Sequence, residues 1–485
     1  MTSEDFTNTP PEDSDERSNN DEVTHNKPET LFTYFTIGTA FLLIMAGGST
    51  LVWSSPAVVQ MKLADPIENP LSKPIEAPEL SLLIGLPTVG GLLGCFVIPK
   101  LSDIVGRKRT LLTIGSIWLL AMIATSFSHN LTTFVAFTCA SAAMQSASFV
   151  AVPIYLTEIC QYHSRAQLGC ILSLFLPIGE LFTYSAGSAL SVRDFTLVIS
   201  TPLMVFLVLF HLAPESPVYS LTKGRAEECR RSLRKLRSNK SEKEVNGEYD
   251  QIRAHLDSQE GESGKELVIL GLLKTKEGRL GLVFGTIQIL IQFLTGGTLV
   301  MQLMGPIFDE ANTISGNTIA IIAGAAKVVF FLLASFLVER TGRRPLLIVS
   351  CVGTGISTAV LCVYFYLNYT NDPVVDDLKL LPLGAVLFYI MSYSMGIGPI
   401  PLAVISEMFP SHARSVAISF ICMFCGVVLA VYNSCYPILA EQAGTHWCFF
   451  MFCLFSFVGA VVVYFVLPET KGKSDAEIRQ ILMDY

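Results

Sequence analysis

Leu101–Thr110 reads LSDIVGRKRT, and Leu337–Leu346 reads LVERTGRRPL. Each copy sets an acid, Asp103 or Glu339, four residues before an arginine, Arg107 or Arg343, with a glycine directly ahead of the arginine. Each lies between two long apolar segments. A loop this short cannot carry so much charge through lipid, so both copies are expected in water on the cytoplasmic side. Glycine lets the chain turn tightly there, and the acid and arginine can pair across the turn. One basic turn after a membrane helix would mean little. Two at matching places point to a duplicated membrane protein.

The duplication extends outward from these loops. Glu158 and Arg165 enclose six residues, and so do Glu407 and Arg414. Pro214-Glu215-Ser216 follows the sixth apolar segment, and Pro468-Glu469-Thr470 follows the twelfth. Three motifs recurring in the same order imply two six-helix halves related by a parallel repeat. The apolar segments fall near 31–53, 79–99, 111–128, 131–155, 166–190 and 195–212, then 279–303, 313–338, 345–367, 381–405, 415–440 and 446–467. Most approach the roughly 20 residues that span a bilayer. The expected fold is therefore an all-α membrane protein of twelve transmembrane helices. Its parts are an acidic disordered tail (1–30), a first bundle (31–212), a cytoplasmic helical linker (213–278), a second bundle (279–467) and a cytoplasmic tail (468–485).

Composition agrees: of 485 residues 51% are hydrophobic and only 15% charged, where soluble proteins carry about 25%. The first thirty residues are polar, acidic and poor in large apolar side chains, which predicts disorder. They hold no apolar core of a signal peptide, so an uncleaved cytoplasmic N-terminus is expected. Lysine and arginine cluster on one side of the chain's turns: at 107–109, 165, 223–240, 340–344, 414 and 471–473. Asp65, Glu68, Glu76, Asp372, Asp376 and Asp377 mark the other side. Both termini are thus placed in the cytoplasm. Asn368-Tyr369-Thr370 is a glycosylation sequon on the outer side. The twelve cysteines lie mostly in apolar runs, and Cys422-x-x-Cys425 reads as small packing residues in a helix. Neither a metal site nor a disulfide framework emerges.

The repeated charges have a physical task. Asp103, Arg107, Glu158, Arg165 and Glu215, with Glu339, Arg343, Glu407, Arg414 and Glu469, all fall at the cytoplasmic face. Brought together they would tie the bundles while a central site faces outward, and inward opening would break the ties. Exposed pairs contribute only about 0–1 kcal/mol each, so several must act together. Ordinary anchoring explains the basic residues but not six carboxylates at repeated offsets.

Two segments carry the chemistry of a site. The tenth contains Tyr389, Tyr393, Ser394 and then Gly398-Pro399-Ile400-Pro401. The prolines leave carbonyls unpaired and break the helix, which a membrane tolerates where backbone lines a cavity or packs on protein. Pro399 and Pro401 are the expected hinge of a moving wall; a passive kink is the alternative. The seventh carries Gln288, Gln292, Thr298 and Gln302. Neutral amides and hydroxyls offer donors and acceptors together and suit an uncharged, hydroxyl-rich solute; bonding between helices competes as an explanation. Lys327 is alone in the eighth segment. It can bind an anionic group, pair with Glu180 of the fifth segment, or tether helices.

With SDIVGRKR, PIYLTEI, PESP, VERTGRR, GPIP, SEMFPSHAR and PETKGKS in place, the chain resembles the sugar porters of the major facilitator superfamily. It is most similar to the insect facilitated trehalose transporter group, from about residue 31 to 480. The resemblance implies alternating access to a central sugar site. It also exposes departures. Relatives' second glutamine of segment seven is Phe293, the later asparagine is Thr298, and the eighth-segment asparagine is Lys327. Ser173, Ser394, Leu402 and Leu429 replace four further polar or aromatic site residues, and Val218 replaces an arginine after PESP. Of the usual hexose shell only Gln292 remains. Proton-coupled relatives carry an Asp in helix one and an Arg in helix four; here helix one has no acid and the helix-four position is Thr138. No titratable pair is then expected at the membrane midplane, and facilitated diffusion follows.

The expectation is a plasma-membrane uniporter of a neutral sugar, trehalose or a hexose, with lipid and a small sugar as its partners. Solute contacts are assigned to Gln288, Gln292, Thr298, Gln302, Tyr389, Tyr393 and Ser394, with Lys327 added. The alternatives are a carrier of an acidic or amphipathic solute, drawn from Lys327, and a sugar sensor that scarcely transports. In the second, the acidic tail would recruit cytosolic partners. No nucleophile–base set, phosphate loop or metal cluster supports an enzyme, a cofactor or ATP use, and nothing points to nucleic acid.

Overall fold

A computed structural model describes residues 28–161, 164–262, 268–311, 314–409, 411–469 and 477. The first half holds α1 (Leu31–Leu51), α2 (Ser54–Met61), α3 (Ala77–Val105), α4 (Arg107–Ser126), α5 (Leu131–Ile159), α6 (Arg165–Ala189), α7 (Val192–Ile199) and α8 (Thr201–Phe210). Four helices link the halves: α9 (Pro217–Thr222), α10 (Ala226–Leu236), α11 (Glu242–Glu262) and α12 (Val268–Lys274). The second half holds α13 (Lys276–Leu294), α14 (Gly297–Gln302), α15 (Met304–Asp309), α16 (Gly316–Thr341) and α17 (Arg343–Tyr369). It closes with α18 (Leu381–Met395), α19 (Ile400–Met408), α20 (Ser411–Ala443) and α21 (Thr445–Val466).

Helices dominate because lipid offers backbone groups no partner, so each segment must satisfy its own. Eleven spans among the described residues are long and apolar enough to cross a membrane. The 25-residue α6, the fifth span in chain order, supplies the remaining one; it is the span that carries Glu180. Within the first half α1 packs on α6 and α3 on α5; within the second, α17 packs on α21 and α18. Between halves α3 meets α20 and α6 meets α16. Small residues permit the closest approaches. A Cβ on Gly48 would lie 1.9 Å from the Leu176 carbonyl oxygen, and one on Gly179 would lie 1.9 Å from that of Met45.

Several expected spans are not continuous. The first turns at Val52–Trp53 into α2, and Ser200 divides the sixth. The seventh breaks at Thr295–Gly296, where Gly296 has φ +86°. The tenth breaks at Gly396–Pro399, just where the missing proline N–H groups place it.

The linking helices form a small core of Cys229, Leu233, Val245 and Tyr249. They are fixed to the first half by ions. Arg237, 2% exposed, pairs with Glu29 at 3.2 Å and Glu248 at 3.0 Å, and donates to the Ile159 carbonyl at 3.0 Å. Thr30 and Thr33 donate to the Leu236 carbonyl at 2.9 and 2.8 Å. The expected disordered tail ran through residue 30; residues 1–27 lie outside the described residues, but Glu29 and Thr30 are buried. A partner 208 positions away, invisible to composition, holds that carboxylate.

Candidate functional site: two ends and a broken centre

At the end of the bundle that carries the linking helices, the repeated loops share one architecture. Gly106 (φ +112°) and Gly342 (φ +97°) adopt backbone that favours glycine. A Cβ on Gly106 would also lie 2.6 Å from Glu215 Oε2. Glu215 Oε1 accepts from the Lys108 N–H at 3.0 Å. Glu469 accepts from the Arg343 and Arg344 N–H groups at 3.2 and 3.0 Å. Each carboxylate from the end of a half therefore caps the helix that follows its loop, where unpaired N–H groups and the helix dipole favour an anion.

Arg107 is held firmly. Its Nε donates to Glu158 Oε2 at 3.0 Å, its Nη2 to Oε1 at 3.0 Å, and its Nη1 pairs with Asp103 at 3.0 Å. The Tyr219 ring lies 5.2 Å away. None of these described contacts joins the two halves; the Tyr219 ring belongs to the linking helix α9. The side chains of Arg165, Glu339, Glu407 and Arg414 lie outside the described residues.

In the centre, the broken helices cap each other. Gln292 of α13 donates to the Gly398 carbonyl of the tenth-segment break at 2.9 Å. Tyr389 of α18 donates to the Thr295 carbonyl of the seventh-segment break at 3.2 Å, and Tyr432 of α20 donates to Leu294 at 3.1 Å. Tyr389 and Tyr393 stack with centroids 6.1 Å apart. A Cβ on Gly297 would fall 2.3 Å from the Tyr393 ring. The structure thus unites Gln292, Tyr389 and Tyr393 with the Gly398 carbonyl at the helix break. Ser394 is fully buried beside them, its hydroxyl without a hydrogen-bond partner. Thr298 is half-buried on α14. Gln288 is set apart, in a small apolar gap with Phe284, Ile287, Val462, Val463, Val466 and Leu467.

Gln302 stands at the far end, where contacts cross between halves. Ser54 Oγ donates to its carbonyl at 2.7 Å, and the Gly305 N–H donates to Ser55 Oγ at 2.9 Å. Tyr184 donates to the Met301 carbonyl at 2.7 Å. Asn433, fully buried, donates to Thr88 Oγ1 at 3.2 Å and approaches Gln302 Oε1 at 3.5 Å. Asn368 lies at this end too, its amide donating to the Glu310 carbonyl at 3.1 Å.

Lys327 pairs with Glu180, the second of the possibilities open to it. Its Nζ sits 2.8 and 2.7 Å from the two carboxylate oxygens, with side chains 5% and 0% exposed. The expected absence of a titratable pair rested on helices one and four; this pair lies on the fifth and eighth segments instead. Neither residue sits at the helix-one or helix-four position that the expectation inspected. Asn433 also escaped notice, because it lies one turn beyond Leu429, where an asparagine was sought. A lone amide in an apolar helix was the available signal. Among the described residues, no cluster of His, Cys, Asp or Glu could hold a metal.

The chain matches the sugar (and other) transporter family over residues 35–482. It is 28% identical to the facilitated trehalose transporter Tret1 of Culex quinquefasciatus, over 90% of this chain and 83% of that one. With Tret1 of Polypedilum vanderplanki the identity is 29%, over 90% and 86%. The fold resembles the xylose transporter XylE of E. coli in its inward open conformation: TM-score 0.75, 19% identity, covering 93% of this chain and 99% of that one. Against the partially occluded inward open form the TM-score is 0.72, at 17% identity over 90% and 100%.

Proposed function

The chain belongs to the family of sugar (and other) transporters, and on that premise we propose that it carries a neutral sugar, trehalose or a hexose, by facilitated diffusion with alternating access. The observation that carries this reading is the mutual capping of the two broken helices by Gln292 and Tyr389. Uncharged donors and backbone carbonyls sit together where the two broken helices meet, and a hydroxyl-rich solute can replace such bonds one for one. The Tret1 relatives favour trehalose. The pairing of Lys327 with Glu180 favours a neutral solute over an acidic one, because the ammonium already has its counter-charge.

The linker end is taken as cytoplasmic from its lysines and arginines, and the plasma membrane as the site of action. The bonds across the far end fit an outwardly closed state. The test is uptake into proteoliposomes of trehalose, glucose, fructose and a polyol, with and without a pH gradient. Saturable trehalose or hexose uptake indifferent to the gradient is expected. No sugar flux, or flux driven uphill by protons, would overturn the proposal.

A further inference from the structure

We propose that the Glu180–Lys327 ion pair is the mid-membrane latch of the carrier, positioning its two halves in the outwardly closed state and parting whenever the site faces out. The inference rests on the alternating-access reading above. Glu180 belongs to the first half and Lys327 to the second. They meet on α6 and α16, a helix pair that joins the halves, roughly two to three turns below the far ends of both helices. Both charges are removed from solvent, and each carboxylate oxygen lies within hydrogen-bond distance of the ammonium.

The surroundings show why pairing matters. The Phe331 ring lies 5.7 Å from Lys327 Nζ. Tyr184, one turn beyond Glu180, gives its proton to the Met301 carbonyl rather than to the carboxylate. A Cβ on Gly324 would lie 3.0 Å from the Tyr184 ring, so the two helices are in contact there. Among the described residues, α1 carries no ionisable side chain except Tyr34 at its first turn, and α18 carries none but Tyr389 and Tyr393. A charge left alone in such a place is strongly disfavoured, whereas the same charge facing a water-filled cleft is hydrated. Closure therefore requires both partners. The pair acts through the position of the halves; its own atoms need not touch the solute.

Either single substitution strands one charge in the closed state and leaves the outward-facing state hydrated. The experiment is hydrogen exchange of the full-length protein in lipid nanodiscs, following the far-end seam, α2 with α14 and α15. Lys327→Met and Glu180→Gln are expected to speed exchange there by about tenfold or more, while α4 and α17 at the linker end do not gain it. The swapped variant Glu180→Lys/Lys327→Glu is expected to restore wild-type protection. Wild-type exchange in both single variants, or a swapped variant as open as they are, would overturn the latch. Should a single variant fail to fold, the swap decides alone: a protected seam upholds the proposal and an open one overturns it. Because exchange needs no sugar, absent sugar flux in the wild type would sink the solute assignment without touching this outcome.

Discussion

The two ends of this helix bundle are held by different kinds of contact. At the linker end, charged groups among the described residues pair without crossing between the halves: Arg107 with Glu158 and Asp103, Glu215 on α4, Glu469 on α17. Toward the far end, mostly neutral groups bond across the halves: Ser54, Ser55, Tyr184 and Asn433, with the Glu180–Lys327 pair below them. The difference is one of solvent. Charges near water pair where the backbone already holds them close. Hydroxyls and amides in a dry seam reach across because an unmet polar group there is costly.

The comparison can be broken most sharply at the dry seam. A Cβ on Gly85 would lie 1.8 Å from Ser434 Oγ across the halves. Gly85→Trp therefore wedges the seam, and sugar uptake in proteoliposomes should fall by a hundredfold or so while helical content by circular dichroism is unchanged. Intact uptake would mean that the seam need not close.

Next in size is Arg107→Ala. It leaves Glu158, only 13% exposed, without its counter-charge, and should cost about 2–4 kcal/mol in thermal unfolding of the purified protein. The loss should fall on the first half and the linking helix α9, where the described partners of Arg107 lie. Smaller still is removal of the capping charges. Glu215→Gln and Glu469→Gln should each cost about 1 kcal/mol, and near-equal losses would sharpen the view that the two loops are one device used twice.

The mildest effect lies in the linking helices. Burial pushes the Cys229 thiol up to about 11 from an ordinary 9.0. The folded protein thus keeps a proton that the unfolded chain releases, so this contribution to stability is present below pH 9 and fades as pH climbs toward 11. Iodoacetamide should label Cys229 slowly at pH 8, and unfolding should speed it. Fast labelling of the native protein would contradict the burial.

Much of this was legible along the chain. Apolar runs of spanning length, basic turns and three motifs in repeated order imply a duplicated helical membrane protein, because lipid dictates length and charge placement locally. The break at Gly396–Pro399 was legible for the same reason: a proline's missing N–H acts on its own helix. The break at Thr295–Gly296 was not, since the Thr295 carbonyl there takes its hydrogen bond from the Tyr389 hydroxyl 94 residues away.

The sequence by itself determined what each helix is made of and which loops must stay in water. Only the tertiary structure decided who meets whom. Glu29 finds Arg237 and Lys327 finds Glu180, over separations of 208 and 147 residues. Composition names the charges to be buried, but the partner that makes burial tolerable is chosen by how helices pack, and packing is a property of the whole bundle.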